Sequence, residues 1–268
     1  MHVIEYGEFI QSPQVQYAKA LLSLLPENLQ SIYFTNSGAE AAEGAMKLAK
    51  RVTKRTRIIA FDGAYHGSTQ GALSVMGDEY FRNAYRPLLS DVLHLRYNNM
   101  EDIELIDHHV ACVMVEPVQA ETGITAASAE WLKALRAKCD ALCILLIFDE
   151  IQSGFGRTGT LFAFEQYGVV PDILLTGKAL GAGLPLGAFI SSPAKMNNGI
   201  ANKTKEFTPE VICCAKRTIG VKFSVNCAKV RYPNAANPIA QAISMPSKEK
   251  INNMAIMETR SILRLLGD

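Results

Sequence analysis

The sequence predicts an α/β fold in which a mostly parallel sheet lies between helices. Strand-like and helix-like segments alternate from residue 31 to residue 192, as they do in chains that build such sheets. Two of the strand-like segments, 110–117 and 143–150, are near-continuous apolar runs, which are typical of strands covered on both faces. Residues able to do chemistry follow several of the predicted strands, and ligands of such sheets bind beyond the carboxyl ends of the strands.

The elements can be justified in chain order. SIYFT (31–35) is short and β-rich, and the following segment, 38–52, is rich in Ala, Lys and Glu, which favour helices. Between the two apolar runs Ser128 is a predicted N-cap, with Trp131 and Leu135 on the apolar face of the helix that follows. The other predicted strands are RIIAF (57–61), VACVMVEP (110–117), CILLIFDE (143–150), DILLTGK (172–178) and LGAFISS (186–192).

The character of the sequence changes after about residue 195. Beyond this point Lys and Arg outnumber Asp and Glu by eleven to five, and the alternation of strands and helices is hard to find. Only the segment 247–267 predicts a helix, with one apolar stripe and Gly267 as its stop signal. We therefore predict a large domain over residues 1–195 and an atypical tail over residues 196–268.

Composition excludes several classes of function. A formal net charge of +1 over 268 residues argues against a nucleic-acid-binding surface, and the five histidines show no metal spacing. No apolar run approaches the length of about 20 residues that spans a membrane, and no secretory segment follows Met1. Cys112 and Cys143 lie inside apolar runs, and no CxxC is present, so we predict reduced core thiols in a soluble, cytoplasmic protein.

Lys178 is the first candidate for chemistry. It ends a predicted buried strand among Gly and apolar residues, and burial disfavours the ammonium form of lysine. One interpretation is an amine kept partly neutral so that it can attack a carbonyl, as a Schiff-base lysine must. The other is a side chain that reaches solvent from a loop. Local context leaves both open.

Asp149 is the second candidate, because it ends the apolar strand 143–150. An unpaired carboxylate there would be costly, so it needs a cationic partner. A protonated pyridine nitrogen would suit it, since the ion pair keeps that ring an electron sink. A salt bridge to an arginine or a helix cap is the alternative. The occurrence of Asp149 and Lys178 on successive strand ends favours the cofactor interpretation.

Two further segments could contact a cofactor. Ser37, Gly38 and Ala39 lie between a strand and a helix start, where free backbone N–H groups and the helix dipole favour a phosphate, although Ser-Gly is also a common cap. Tyr65 and His66 could place an aromatic ring against a flat cofactor, or Tyr65 could pack in the core.

Together these segments resemble the class-III aminotransferases (the acetylornithine, ornithine and ω-amino-acid enzymes), which depend on pyridoxal phosphate. The resemblance covers roughly residues 10–195 and implies the large domain of PLP fold type I, built on a seven-stranded-type sheet. The matching stretches occur in the family's order: FTNSGAEAAEGAMKLAKR (34–51), FDGAYHG (61–67), VEPVQAETG (115–123), IFDEIQSGFGRTG (147–159) and PDILLTGKALGAGLPLGAF (171–189).

The resemblance implies a role for each matching residue. Lys178 would hold the cofactor as a Schiff base and shuttle a proton, and Asp149 would pair with the pyridine nitrogen. Gln152 would lie near the 3-oxygen of the cofactor, and Glu121 would be the acid that gates between the two substrates. The cofactor-binding set is then Ser37, Gly38, Ala39, Tyr65, His66, Glu116, Asp149, Gln152 and Lys178. A homodimer that acts on an amino acid and a 2-oxo acid is also implied.

The sequence departs from the family pattern in several places. Ser68 stands where ornithine and acetylornithine enzymes usually have an arginine that grips the substrate α-carboxylate, and Ala120 stands where the family usually has glycine. The N-terminal segment and the small C-terminal domain are not recognisable, which a truncated or frame-shifted reading frame would explain. The expected function is amino-group transfer by a ping-pong mechanism. A catalytically incompetent remnant and another PLP chemistry, such as a racemase or aminomutase, are the alternatives.

Overall fold

A computed structural model describes residues 11–200, with the backbone alone for 198–200. The predicted tail, apart from its first residues, and the predicted helix at 247–267 lie outside the described residues. The described residues form a three-layer α/β unit in which one large sheet lies between helices. The predicted fold class is confirmed.

The large sheet has seven strands in the order β1-β9-β8-β7-β4-β2-β3. All neighbouring pairs are parallel except those that β9 forms with β1 and β8, so the sheet is mostly parallel, as predicted. A two-stranded ribbon, β5 with β6, lies apart from it. The strands are β1 (Ser31–Thr35), β2 (Arg57–Phe61), β3 (Val92–Leu95), β4 (Val110–Val115), β5 (Val118–Gln119), β6 (Thr125–Ala126), β7 (Leu145–Asp149), β8 (Ile173–Thr176) and β9 (Gly187–Ser191).

Seven α-helices connect and cover the strands among the described residues. They are α1 (Ser12–Leu22), α2 (Gly38–Thr53), α3 (Gln70–Ser74), α4 (Glu79–Arg82), α5 (Ala129–Leu142), α6 (Phe164–Tyr167) and α7 (Pro193–Ile200). Short 3₁₀ turns occupy Asn83–Tyr85, Glu101–Leu105 and Lys178–Gly181. Helix α5 begins as predicted: the Ser128 Oγ accepts the Trp131 N–H at 3.1 Å, and Trp131 and Leu135 are fully buried.

The core consists of two apolar clusters, one on each face of the sheet. Successive side chains of a strand point to opposite faces, so Ile59 and Phe61 belong to the cluster beneath α1 and α5, while Ile58 and Ala60 belong to the cluster beneath α2. Every residue of β4 and β7 is buried. The apolar runs at 110–117 and 143–150 therefore each contain a strand covered on both faces, as predicted.

The structure corrects one prediction about cysteine. Cys112 is buried, as expected, but Cys143 is exposed. It ends α5 in a left-handed conformation with φ of 53°, so its side chain turns outward before β7 begins at Leu145. The apolar run thus begins as a helix C-cap and only then becomes a strand. Cys213, Cys214 and Cys227 lie outside the described residues.

Helix α7 crosses residue 195, where the predicted large domain ends. Its Met196 is 1% exposed and packs in the cluster beneath α2.

Within the described part of the chain, no helix is long and apolar enough to cross a membrane.

Candidate active site

A single pocket collects nearly all of the predicted site residues. The strands β1, β2, β4, β7 and β8 run in the same direction, so their carboxyl ends meet at one edge of the sheet. The pocket lies at this edge. It is lined by Gly38, Ala39, Tyr65, His66, Gly67, Ser68, Glu116, Ala120, Glu121, Asp149, Ile151, Gln152 and Lys178. Of the predicted residues only Ser37 does not line it.

Ser37 does not line the pocket but caps the helix whose first residues form one of its walls. Its Oγ accepts the Glu40 N–H at 3.2 Å, and the Glu40 carboxylate accepts the N–H of Asn36, the residue before the cap, at 2.8 Å. The first N–H groups of α2, which include those of Gly38 and Ala39, have no acceptor within the helix. The positive end of the α2 dipole therefore faces the pocket and favours an anion there.

His66 and Asp149 form a buried pair at the pocket floor. His66 Nδ1 lies 2.7 Å from Asp149 Oδ2, and both side chains are almost fully buried. Burial alone would lower the pKa of His66, but the hydrogen bond and the charge of Asp149, together with the charge of Glu116, raise it. The Asp149 Oδ1 accepts the Ile151 N–H at 3.0 Å. Among the described residues, the ionisable partner of Asp149 is thus a histidine, and not the arginine considered from sequence.

Glu116 is a third buried ionisable group beside this pair. Its Oε2 accepts the Tyr65 N–H at 3.0 Å and so fixes the turn that carries Tyr65. Burial raises the pKa of Glu116 to about 7; the charge of His66 opposes this shift, and that of Asp149 adds to it. Tyr65 is 42% exposed and lines the pocket, so it does not lie in the core.

Lys178 lies at the mouth of the pocket, directly after β8. The strand before it is buried, as expected, but the Lys178 side chain is exposed, and its Nζ contacts the Oε1 of Gln152. β8 ends at Thr176, and the chain is buried only as far as Gly177, beyond which it leaves the sheet. Lys178 adopts φ of 46°, a left-handed conformation that costs a non-glycine residue about 1–2 kcal/mol. Such strain is concentrated at functional sites.

The pocket contains little positive charge. Among the described residues that line it, Lys178 is the only lysine or arginine, whereas Glu116, Glu121 and Asp149 are acids. Ser68, which replaces the arginine usual in ornithine enzymes, lines the pocket with Ala120. The described wall therefore offers no guanidinium to a substrate carboxylate.

Sequence reasoning missed two residues that shape the site. Ile151 packs so closely that a Cβ added at Gly38 would lie 2.7 Å from its Cδ1. Glu150 is fully buried, and its carboxylate accepts the N–H groups of Ala163 and Phe164 at 2.6 and 2.9 Å. It thereby closes the loop that carries Gln152. The only signal in the sequence was the position of both residues beside Asp149 in FDEIQ. The partners of Glu150 lie 13 and 14 residues further along the chain, and contacts at that distance leave no local sequence pattern.

Comparisons with known proteins point to one protein family. A family model described as aminotransferase class-III matches residues 1–227. A [LysW]-aminoadipate semialdehyde/glutamate semialdehyde transaminase of Sulfolobus acidocaldarius is 45% identical over 188 residues, which are 70% of this chain and 47% of that protein. An acetylornithine aminotransferase of Methanopyrus kandleri is 44% identical over 184 residues, covering 68% of this chain and 47% of the relative.

Solved structures show the same architecture. A thermostable (S)-enantioselective omega-transaminase from Thermomicrobium roseum superposes with a TM-score of 0.69 at 31% identity, covering 77% of this chain and 53% of that one. A transaminase from the marine bacterium Virgibacillus has the same TM-score at 28% identity, covering 77% of this chain and 52% of that one. The chain spans about half the length of the relatives it matches.

Proposed function

The chain belongs to the class-III aminotransferase family, whose members use pyridoxal phosphate, and from this we propose that it transfers an amino group from an amino acid of the ornithine-like or ω-amino type to a 2-oxo acid in a ping-pong sequence. The observation that carries the proposal is the meeting of Lys178, Asp149 and the N-terminus of α2 in one pocket. These groups match the three chemically distinct parts of the cofactor: its aldehyde, its pyridine nitrogen and its phosphate.

The residues present fit the cofactor. In the part of the chain that the structure describes, each oxygen of the Asp149 carboxylate has one partner, so lone pairs remain for a further donor such as a pyridinium N–H. The N–H groups of Gly38 and Ala39 suit a phosphate. His66 Nε2 is buried and has no partner among the described residues, so it too could accept or donate a hydrogen bond in the pocket. Tyr65 offers an aromatic face, and Gln152 an amide beside Lys178.

When bound, pyridoxal phosphate supplies a carbonyl that reacts with amines and a ring that accepts the electron pair of a bond broken at the substrate carbon. The chain's own groups supply the rest. The Asp149 carboxylate, oriented by His66, holds negative charge where the ring nitrogen must stay protonated. Lys178 would move a proton at Nζ, and its contact with Gln152 keeps that amine at the pocket mouth. Glu121, at the pocket wall, would respond to which substrate is bound.

Chemical trapping tests the proposal. The full chain purified with cofactor is reduced with borohydride and mapped by peptides, and the pyridoxyl group should be found on Lys178. Lys178→Ala should retain at most reversible cofactor binding and no transamination. The matched control is Lys195→Ala, because Lys195 pairs with Asp172 outside the pocket. A label on Lys195, or no label at all, would refute the assignment.

A second experiment separates transamination from other chemistries. An ω-amino acid or ornithine added without a 2-oxo acid should convert the cofactor to its amine form, which is seen as loss of the visible absorption band. A 2-oxo acid should then restore the band. A racemase would leave the band unchanged while the optical rotation of its substrate decays. An incompetent remnant would show neither change.

A further inference from the structure

Glu43 lies outside the pocket but contacts the turn that follows His66. It is a partly buried residue in the second turn of α2, and a single carboxylate oxygen, Oε1, accepts three donors. These donors are the Thr69 hydroxyl at 2.7 Å, the Gly71 N–H at 2.8 Å and the Ala72 N–H at 3.0 Å. Glu43 thus satisfies two free amides at the start of α3 from a neighbouring helix.

The same two segments are also in close steric contact. A Cβ added at Gly67 would lie 2.6 Å from the Cβ of Ala39, and one added at Gly71 would lie 2.2 Å from the Oε2 of Glu43. The turn after His66 therefore lies directly on the first turn of α2. Ala39 belongs to the anion-binding wall of the pocket, while Tyr65 and His66 belong to its aromatic wall.

We propose that Glu43 is a positioning residue of the cofactor pocket, which clasps the turn at residues 66–69 to the start of α2 and so fixes the aromatic wall relative to the phosphate-binding wall. The inference rests on the proposed function, because it concerns how that cofactor site is held together. A hydrogen bond to a charged group contributes more than a neutral one, and three converge here. Loss of the clasp should let the two walls separate and release the cofactor sooner.

Three variants of the full, cofactor-loaded chain test this role. Glu43→Met keeps the length of the side chain but has no oxygen acceptor. Glu43→Gln keeps one acceptor oxygen, and since all three donors converge on one oxygen, it should restore much of the function. Gly71→Ala does not change Glu43 itself, but its new methyl group would occupy the space of the Glu43 carboxylate and displace it. Alanine favours a helix over glycine, so any loss in this variant would come from the displaced carboxylate.

The readouts are the rate of cofactor release, the visible circular dichroism of the bound cofactor and hydrogen exchange of the Gly71 and Ala72 amides. Glu43→Met and Gly71→Ala should release the cofactor about ten-fold faster or more, with weaker dichroism and faster exchange. Glu43→Gln should lie within about three-fold of the parent. Glu130→Met, an exposed glutamate on α5, is the matched control and should change nothing.

The outcomes are distinguishable. If Glu43→Met and Gly71→Ala expose the two amides to exchange but leave cofactor release and dichroism at parental values, Glu43 serves the fold alone and the inference is overturned. Thr69→Val removes one donor from an exposed residue and gives a milder test should Glu43→Met fail to fold; unchanged cofactor release would again overturn it. A parent chain that binds no cofactor would instead overturn the proposed function, and the inference with it.

Discussion

At the scale of single residues, the carboxylate of Asp149 is fixed by two neighbours, so its charge can be tested separately from its position. Oδ2 faces His66, and Oδ1 accepts the Ile151 N–H. Asparagine has nearly the same shape, and its Oδ1 can still accept the Ile151 N–H. It cannot supply the negative charge that holds a pyridine nitrogen in its protonated state.

We therefore predict that Asp149→Asn loses activity far more than stability. Transamination should fall by at least about 100-fold, which corresponds to about 3 kcal/mol of transition-state stabilisation. Single-turnover kinetics with an amine substrate measures the first quantity, and denaturant unfolding measures the second. A variant that reacts with amines as fast as its parent would show that the carboxylate does not support an electron sink.

At the same scale, the raised pKa of Glu116 predicts that the free energy of unfolding depends on pH. Its pKa in the folded chain is raised by burial to about 7 from an ordinary value of 4.5, and the charges that face it belong to His66, Asp149 and Lys178. Between these pH values the folded chain holds a proton that the unfolded chain has released. The contribution of Glu116 to the free energy of unfolding therefore decreases as pH rises through this window, by up to about 3 kcal/mol.

The test compares the parent with Glu116→Gln, which keeps an acceptor oxygen for the Tyr65 N–H. Denaturant unfolding at intervals from pH 4.5 to pH 7.5 should show the parent losing stability relative to the variant as pH rises. Parallel curves for the two proteins would contradict a raised pKa at this position.

At the scale of elements, two helices begin in the same way but border different parts of the molecule. Ser37 caps α2 and Ser128 caps α5, and each Oγ accepts the N–H three residues on, at 3.2 and 3.1 Å. Only α2 points its first amides at the pocket. Removing each cap in turn therefore separates the contribution of a helix cap to stability from a specific effect on ligand binding.

We predict that Ser37→Ala and Ser128→Ala each lower the free energy of unfolding by about 1 kcal/mol, as loss of a helix cap usually does. Cofactor affinity should fall in Ser37→Ala alone, because fraying of the first turn of α2 disturbs the amides of Gly38 and Ala39. Equilibrium binding of pyridoxal phosphate checks this. Equal affinity in both variants would mean that the α2 N-terminus takes no part in binding.

The elements also show why some of the fold was readable from sequence. β1 and β2 were predicted at their observed bounds, since their composition and flanking turns are local signals. β3, VLHL, was not predicted, because it is a partly exposed edge strand with no apolar run of its own. Its pairing with β2 is a long-range property.

The candidate site was likewise predictable from sequence only in part. The positions of Asp149 and Lys178 follow from the rule that parallel strands end at one edge, and both line the pocket. The partners of Asp149, Glu150 and Glu43 could not be predicted, because each contact joins segments separated by a helix or a loop. The sequence left open whether the Lys178 side chain is buried, because apolar neighbours in sequence do not bury a side chain that turns away from the sheet.

At the scale of the whole molecule, the described unit presents three neighbouring aromatic side chains to solvent. Tyr80, Phe81 and Tyr85 are 84%, 53% and 61% exposed. A contiguous exposed apolar patch often marks a protein–protein contact. Together with the homodimer that the family resemblance implies, this exposure leads us to propose that the chain assembles as a homodimer.

We predict a solution mass near twice the chain mass of 29.3 kDa by light scattering. Replacement of Tyr80, Phe81 and Tyr85 by serine should shift the equilibrium toward the single chain, because the buried aromatic area is lost. Leu24→Ser, at a position 62% exposed elsewhere on the surface, is the control. A parent that remains a single chain at micromolar concentration while binding the cofactor would contradict the homodimer.

The antiparallel strand β9 has a consequence for the order in which the molecule can fold. Among the described strands β1 pairs with β9 alone, and the partners Ser31 and Ser191 are about 160 residues apart in sequence. During synthesis at about 5–20 residues per second, β1 therefore waits roughly 8–30 seconds with both edges unpaired. For that interval the nascent chain carries an open strand edge, which is a template for pairing with other chains.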